Sequence, residues 1–175
     1  MGIVIIEGPD LSGKSTAIEK LSKKIGNGFV LKNCFKPKEE GDLIFYQYEC
    51  ILAAVTLYQD REPGMTVILD RFYPSEAVYS YLRGYDRLYS TEIQSFDALC
   101  NSVGVKLILL DTPLEELETR FEKRGDEHIK KDSLQILKNR YEVFYDNTSL
   151  EKIKLDTRKE GWLEEAIKFI KGDLT

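Results

Sequence analysis

The segment from Gly8 to Ser15 constrains the fold of this 175-residue chain more than any other stretch. It reads Gly-Pro-Asp-Leu-Ser-Gly-Lys-Ser and fits the pattern G-x-x-x-x-G-K-[ST] at every fixed position. An apolar run at 3–6 precedes it, and residues 16–21 follow with helical spacing. A loop between a strand and a helix brings backbone N–H groups and the positive end of a helix to one point. The sequence therefore predicts a loop that holds the phosphates of a nucleotide.

Each fixed residue of this loop has a physical role. Gly8 and Gly13 leave out side chains where the backbone must turn and approach phosphate oxygens. Lys14 places an ammonium against the outer phosphates, and the Ser15 hydroxyl is expected to join the shell of a Mg²⁺ ion. We therefore expect Mg-ATP to bind along the loop 8–16, at Gly8, Asp10, Ser12, Gly13, Lys14, Ser15 and Thr16.

Strands alternate with helices along the rest of the chain. Strands are predicted at 29–31, 66–70, 105–110 and 153–155, and helices at 42–60, 75–82, 91–101, 114–124, 133–145 and 162–170. Asp42 and Thr112 are the predicted N-caps of two of these helices. The alternation predicts an α/β fold with a parallel sheet covered on both faces, and ligands beyond the carboxyl ends of the strands. Residues at those ends are expected to converge on one edge: Gly8, Lys36, Asp70, Asp111 and Asp156.

Length and composition limit the classes of function. A chain of 175 residues suits one domain with a core that needs no disulfide or structural metal. The formal charge of -5 gives no overall footprint for nucleic-acid binding, so no nucleic-acid partner is expected. Three distant cysteines indicate reduced thiols and a cytoplasmic location. No run approaches the roughly 18 apolar residues of a membrane span, so no membrane partner is expected.

Two further segments carry a family resemblance. Residues 70–79 read Asp-Arg-Phe-Tyr-Pro-Ser-Glu-Ala-Val-Tyr, which is similar to the D-R-Y-x-x-S-x-x-A-Y motif of the thymidylate kinase family of P-loop nucleoside and nucleotide kinases. Residues 109–113, followed by Arg120 and Arg124, resemble that family's fourth strand and the helix leading into its lid. The resemblance covers most of the chain. It implies one P-loop kinase domain over 1–175, a three-layer α/β/α sandwich with a five-stranded parallel sheet, and a homodimer.

The resemblance also implies roles for the charged residues. Arg71 would grip the phosphate of the acceptor, and Asp70 would hold the Mg²⁺ shell through water. Arg120 would stack on the donor adenine, while Arg124 would close over the phosphates in a helical lid at about 120–133, together with Lys123, Lys130 and Lys131. The expected catalytic residues are thus Lys14, Arg71, Arg124 and Asp10, and the expected metal ligands are Ser15 and Asp70.

An acceptor-binding region is implied at about 34–85. Asp10 resembles the family's aspartate that contacts the acceptor sugar, and Phe45 resembles its base-stacking aromatic residue. Ser75 and Tyr79 would line the same pocket, and Lys36 suits a phosphate. The expected acceptor-binding residues are therefore Asp10, Lys36, Phe45, Arg71, Ser75 and Tyr79.

Several positions depart from the family pattern. Leu11 stands where one subgroup has an arginine in the phosphate loop, and residues 35–41 replace the T-R-E-P-G loop that follows the second strand. Glu49 takes the place of the family's phosphate-binding arginine, and Ser80 takes the place of its base-reading glutamine. These departures argue against plain thymidylate as the acceptor.

The favoured function is phosphoryl transfer from Mg-ATP to a (deoxy)nucleoside monophosphate, such as the pyrimidine dTMP or a related deoxynucleotide. A deoxynucleoside kinase is the nearest alternative, with Glu39 or Glu40 as general base and Gln47 facing a base edge. A nucleotide-binding switch is a third class, although the sequence has no guanine-reading N-K-x-D motif. The acidic balance disfavours a polynucleotide 5'-kinase.

Overall fold

Five strands and seven helices alternate through the part of the chain that the structure describes. The computed structural model describes residues 2–32, 40–60, 65–126 and 129–172, and it leaves out the side chains of 40–45 and 60. The strands are β1 (Ile3–Glu7), β2 (Gly28–Lys32), β3 (Thr66–Asp70), β4 (Lys106–Leu110) and β5 (Glu151–Leu155). The helices are α1 (Lys14–Ile25), α2 (Glu40–Asp60), α3 (Tyr73–Tyr79), α4 (Thr91–Ser102), α5 (Leu114–Arg124), α6 (Ser133–Asn147) and α7 (Trp162–Lys171), with a 3-10 turn at Ser80–Arg83.

The strands form one parallel sheet in the order β2-β3-β1-β4-β5. β1 lies at the centre, where Ile6 pairs in register with Asp70 of β3 and Ile108 of β4. All strands point the same way, so their carboxyl ends share one edge. The loop after β1 therefore opens beside the ends of β3 and β4, as the sequence predicts.

Side chains alternate between two apolar cores, one on each face of the sheet. Ile3 and Ile5 of β1 point into a core built with α2, α3, α4, α5 and α6. Val4 and Ile6 point into a second core built with α1 and α7. Alternate strand residues face opposite sides, and burial on both faces explains the nearly continuous apolar strands. The predicted three-layer α/β/α arrangement with a five-stranded parallel sheet is confirmed.

Some predicted boundaries were wrong for physical reasons. The helix predicted at 75–82 begins two residues earlier as α3, because a distant carboxylate, that of Glu7, accepts the N–H groups of Phe72 and Ser75. Neither Asp42 nor Thr112 is an N-cap: α2 has already begun at Glu40, and Pro113 occupies the cap position of α5. β5 extends back to Glu151; the prediction missed its start because this edge strand begins with the charged residues Glu151 and Lys152 and has no apolar pattern there.

The region predicted as a lid contains three kinds of structure. It holds the last turn of α5, the described non-helical residues 125–126 and 129–132, among which Ile129 is buried, and the first residue of α6. Lys131 in this connection pairs with Glu122 of α5 at 2.6 Å.

None of the helices in the described ranges has the length and apolar character needed to cross a membrane.

Candidate active site

Gly8 and Gly13 shape the loop between β1 and α1. Gly8 has φ +152°, and a Cβ atom there would lie 2.9 Å from Ser12 Oγ and 3.0 Å from the carbonyl oxygen of Leu110. Gly13 has φ +89° and occupies the N-cap position of α1. Only glycine tolerates such an approach of two backbones. The first turn of α1 carries Ser15 and Thr16, both exposed, at the positive end of the helix.

Lys14 closes over the loop that precedes it. Its ammonium donates to the carbonyl oxygens of Gly8 at 2.7 Å and Pro9 at 2.8 Å, and the residue is only 8% exposed. Burial, followed by the positive charge of Arg71, lowers the pKa of Lys14 to about 7. A bound polyphosphate would supply the negative charge that favours the ammonium form. The position of Lys14 thus favours binding of an anionic ligand at this loop.

Two contacts from the β4–α5 region hold the loop from behind. Thr112 Oγ1 donates to the carbonyl oxygen of Ser12 at 3.2 Å, and Arg120 Nη1 donates to that of Leu11 at 2.8 Å. The Ser12 hydroxyl is buried and has no hydrogen-bond partner in the described part of the chain. Arg120, predicted to stack on adenine, therefore lies against the phosphate loop. Arg124, one turn further along α5, is exposed.

The predicted metal ligands belong to neighbouring elements at the carboxyl edge. Asp70 ends β3 beside Ile6 of β1, and Ser15 opens α1 after the loop. A carboxylate and a hydroxyl are hard oxygen ligands of the kind that Mg²⁺ takes, with water and substrate phosphates completing the shell. The described residues contain no cluster of three or more His, Cys, Asp or Glu that could hold an ion by themselves. The donor set therefore fits a Mg²⁺ ion that arrives with a nucleotide.

Arg71 links the phosphate loop to the segment after β3. One terminal nitrogen donates to Asp10 Oδ1 and the other to Ser75 Oγ at 3.0 Å, and both side chains of the Arg71–Asp10 pair are 22% exposed. Tyr79 donates to the second Asp10 oxygen at 2.8 Å, and Arg71 lies over the Tyr79 ring at 5.1 Å. The structure thus brings four of the predicted site residues together: Asp10, Arg71, Ser75 and Tyr79.

Two loop residues adopt a left-handed backbone without being glycine. Leu11 has φ +65° and Arg71 has φ +64°. This conformation is uncommon for residues with a Cβ atom, and it costs energy that surrounding contacts must offset. Both residues lie at the candidate site, where the strained turn after β3 directs the Arg71 guanidinium toward the phosphate loop.

Sequence reasoning missed the buried network behind Arg71. Glu7 is fully buried and accepts four hydrogen bonds, from Phe72 N at 2.8 Å, Ser75 N at 3.2 Å, Ser75 Oγ at 2.8 Å and the Tyr141 hydroxyl at 2.9 Å. Tyr141, on α6, also accepts a hydrogen bond from Arg71 at 3.2 Å. Burial, and next the charge of Glu7, raise the pKa of Tyr141 well above its usual value, so the hydroxyl stays protonated. Glu7 was detectable as a charged residue ending an otherwise apolar strand.

A cavity of about 220 Å³ opens on the other side of Arg71; we call it the β2–α2 cavity. It is lined by Leu31, Lys32, Tyr46, Glu49, Cys50, Ala53, Leu69, Arg71 and Phe72. It falls largely within the predicted acceptor-binding region, at the carboxyl ends of β2 and β3. Of the other predicted acceptor residues, Lys36 and the side chain of Phe45 lie outside the described residues.

Comparisons with known proteins identify the fold. No family model matches the chain. The SPbeta prophage-derived uncharacterized protein YorR of Bacillus subtilis strain 168 is 26% identical over 158 residues, which span 90% of each protein. The crystal structure of YorR in complex with phosphorylated GDP has a TM-score of 0.75 at 22% identity, covering 98% of this chain and 96% of YorR.

Two further solved structures have the same architecture. Deoxyadenosine kinase from M. mycoides, with the products dCMP and a flexible dCDP bound, has a TM-score of 0.59 at 21% identity, covering 99% of this chain and 100% of that one. Polyphosphate kinase 2 from Arthrobacter aurescens TC1 has a TM-score of 0.65 at 16% identity, covering 98% of this chain and 67% of that one. The chain therefore has the α/β fold of these three solved structures, two of which are kinases.

Proposed function

We propose that this protein is a phosphotransferase that moves the terminal phosphoryl group of Mg-ATP to a (deoxy)nucleoside monophosphate. One observation carries the proposal: the Arg71 guanidinium is bonded to Asp10 of the phosphate loop and also lines the β2–α2 cavity. A single cation thus lies between the predicted donor loop and a cavity in the predicted acceptor region. Phosphoryl transfer depends mainly on positioning and on charge stabilisation between two such sites.

Each charged group has a role in that reaction. Lys14 would contact the outer phosphates of ATP, and Arg71 would align the acceptor phosphate, whose oxygen attacks the terminal phosphorus atom. Mg²⁺, held by Ser15 and through water by Asp70, would neutralise charge on the donor phosphates. An acceptor phosphate is already ionised, so its oxygen needs no general base. Lys32 lines the cavity with Arg71 and supplies a second positive charge for that anion.

The bound molecules of the structural relatives agree with this proposal. YorR was crystallised with phosphorylated GDP, and the deoxyadenosine kinase with the nucleotides dCMP and dCDP. The fold therefore accommodates nucleotides in related proteins. By the family resemblance, Arg124 and the neighbouring lysines would cover the transferred group, and Arg120 would contact the adenine.

A deoxynucleoside kinase is the second candidate, and one feature favours it. Both terminal nitrogens of Arg71 are already paired, with Asp10, Ser75, Tyr79 and Tyr141. An incoming phosphate would compete with these partners for the terminal nitrogens, whereas a neutral 5'-hydroxyl would leave the Arg71–Asp10 pair intact. A hydroxyl acceptor benefits from a carboxylate base, and the candidates Glu39 and Glu40 lie where no side chain is described.

Acceptor panels distinguish the two candidates. The purified protein is incubated with Mg-ATP and either nucleosides or nucleoside monophosphates, and ADP release and product mass are measured. We expect turnover of monophosphates; turnover of nucleosides alone would establish the second candidate instead. Nucleotide binding without stimulation of ATP use by any acceptor would favour a nucleotide-binding switch.

Arg71→Ala tests the role of the shared cation. We expect kcat/KM for the monophosphate to fall roughly 100-fold or more, as for removal of a group that stabilises transition-state charge, while ATP still binds. Lys168→Ala, which removes an exposed cation on α7 across the sheet, is the matched control and should keep wild-type rates. An equal loss of ATP binding in Arg71→Ala would refute the assignment to the acceptor.

A further inference from the structure

The β2–α2 cavity presents a carboxylate on its helical wall. Four α2 residues line it, Tyr46, Glu49, Cys50 and Ala53, with the spacing i, i+3, i+4, i+7 that places side chains on one helix face. A different stripe of α2 is buried in the core, namely Gln47, Ile51 and Ala54. The helix orientation is thus fixed by packing, and Glu49 belongs to the face that borders the cavity.

The lining of the cavity carries charges of both signs. Arg71 and Lys32 suit the anionic phosphate of an acceptor, which the carboxylate of Glu49 would repel. Glu49 is exposed at the cavity wall, where a carboxylate suits the neutral part of the acceptor, the base or the sugar, better than its phosphate. Apolar groups line much of the remaining wall, including Leu31, Leu69 and Phe72. Apolar walls with a few polar groups are typical of sites that hold a flat ring and fix its orientation.

We propose that Glu49 selects a guanine base in the acceptor, an inference that rests on the proposed function. Guanine offers two adjacent donors, the N1–H group and the N2 amino group, which match the two oxygens of one carboxylate. Adenine and cytosine each offer a single amino group beside a ring acceptor. Thymine offers one N–H between two carbonyl oxygens, which a carboxylate repels. Guanine thus replaces the pyrimidine that the family resemblance implies.

Binding of three monophosphates tests the assignment directly. Isothermal titration calorimetry measures the affinity of the protein for dGMP, dTMP and dIMP. Compared with dGMP, dIMP lacks only the N2 amino group. We expect the wild-type protein to bind dGMP more tightly than dIMP or dTMP by roughly 5- to 150-fold, the range for a matched pair of base contacts. In Glu49→Gln the ratio of dGMP to dIMP affinity should fall close to one. Glu165→Gln, an exposed carboxylate of α7 across the sheet, should keep the wild-type ratio.

Other outcomes overturn the assignment. Equal wild-type affinity for dGMP and dIMP would refute it, as would tighter binding of dTMP. A Glu49→Gln variant that weakens all three ligands equally would place the carboxylate on the sugar or in a structural role. Turnover is measured separately. Guanine-selective binding without phosphoryl transfer would reject the proposed reaction and keep the base assignment. Faster turnover of dTMP than of dGMP would keep the proposed reaction and reject the base assignment.

Discussion

Tyr141→Phe is the sharpest test of the network behind Arg71, because it removes one buried hydroxyl and no carbon atoms. That hydroxyl donates to Glu7 at 2.9 Å, accepts from Arg71 at 3.2 Å and lies 3.1 Å from Ser75 Oγ. Hydrogen bonds to charged groups contribute roughly 1.5–3 kcal/mol each. The bonds to Glu7 and Arg71 are both lost, but they share the Tyr141 hydroxyl, so their contributions are not fully additive. We therefore expect the free energy of unfolding to fall by about 2–4 kcal/mol. The loss leaves a buried carboxylate and a guanidinium each short of a partner.

Equilibrium unfolding in urea measures this loss, and steady-state kinetics measures its effect on the site. If the network positions Arg71, kcat should fall while the KM for ATP stays close to wild type. Tyr145→Phe is the matched control on the same helix: the Tyr145 hydroxyl makes no hydrogen bond within the described residues, and its ring should keep its contacts with Lys152 and Lys154. A stability loss no larger than that of Tyr145→Phe, or an equal change in both kinetic constants, would refute the reasoning.

The remaining predictions concern the phosphate loop. Lys14 has a pKa of about 7 in the folded protein against 10.5 in an exposed lysine, so above pH 7 ATP binding must take up a proton. We therefore expect the affinity for ATP, measured by calorimetry at pH 7 to 9, to fall by up to about tenfold per pH unit. The same difference means that the unfolded chain binds more protons between pH 7 and 10.5, so this group's contribution to the stability of the unliganded protein rises with pH across that window; an ATP affinity independent of pH would contradict both statements. Gly8→Ala should lower the free energy of unfolding in urea by about 1–3 kcal/mol more than the control Gly104→Ala does. Both glycines have positive φ, but a Cβ atom at Gly8 meets the Leu110 backbone, whereas one at Gly104 meets nothing within 4 Å. Equal losses in the two glycine variants would show that the loop relaxes around the new methyl group.

The parts that the sequence predicted well depend on local patterns. The loop from Gly8 to Ser15 is specified by consecutive residues, and the parallel sheet follows from the alternation of apolar strands with helices. Asp10 and Arg71 were both predicted at the site, and the structure pairs them across 61 residues. The family motif supplied that information, since nothing in the local sequence brings the two together.

The parts that it missed depend on contacts between distant segments. Tyr141 contacts Glu7 across 134 residues, and its place among the apolar positions of α6 reads as an ordinary core residue. The true start of α3 also depends on Glu7, a partner from another strand. Thr112 was predicted to cap a helix but instead donates to the phosphate loop. Polar groups in a dry interior take partners that no neighbouring residue reveals.

The bond between Thr112 and Ser12, which are 100 residues apart, bears on the order in which the molecule is made. The phosphate loop is synthesised well before the backbone of Leu110 that packs on Gly8. β1 also lacks its neighbour β4 until then, and such long-range pairings form slowly. We therefore expect a ribosome-bound chain to acquire nucleotide binding only after residue 112 has emerged. Until then the apolar central strand β1 is unpaired with β4, and we expect chaperones to protect it from aggregation.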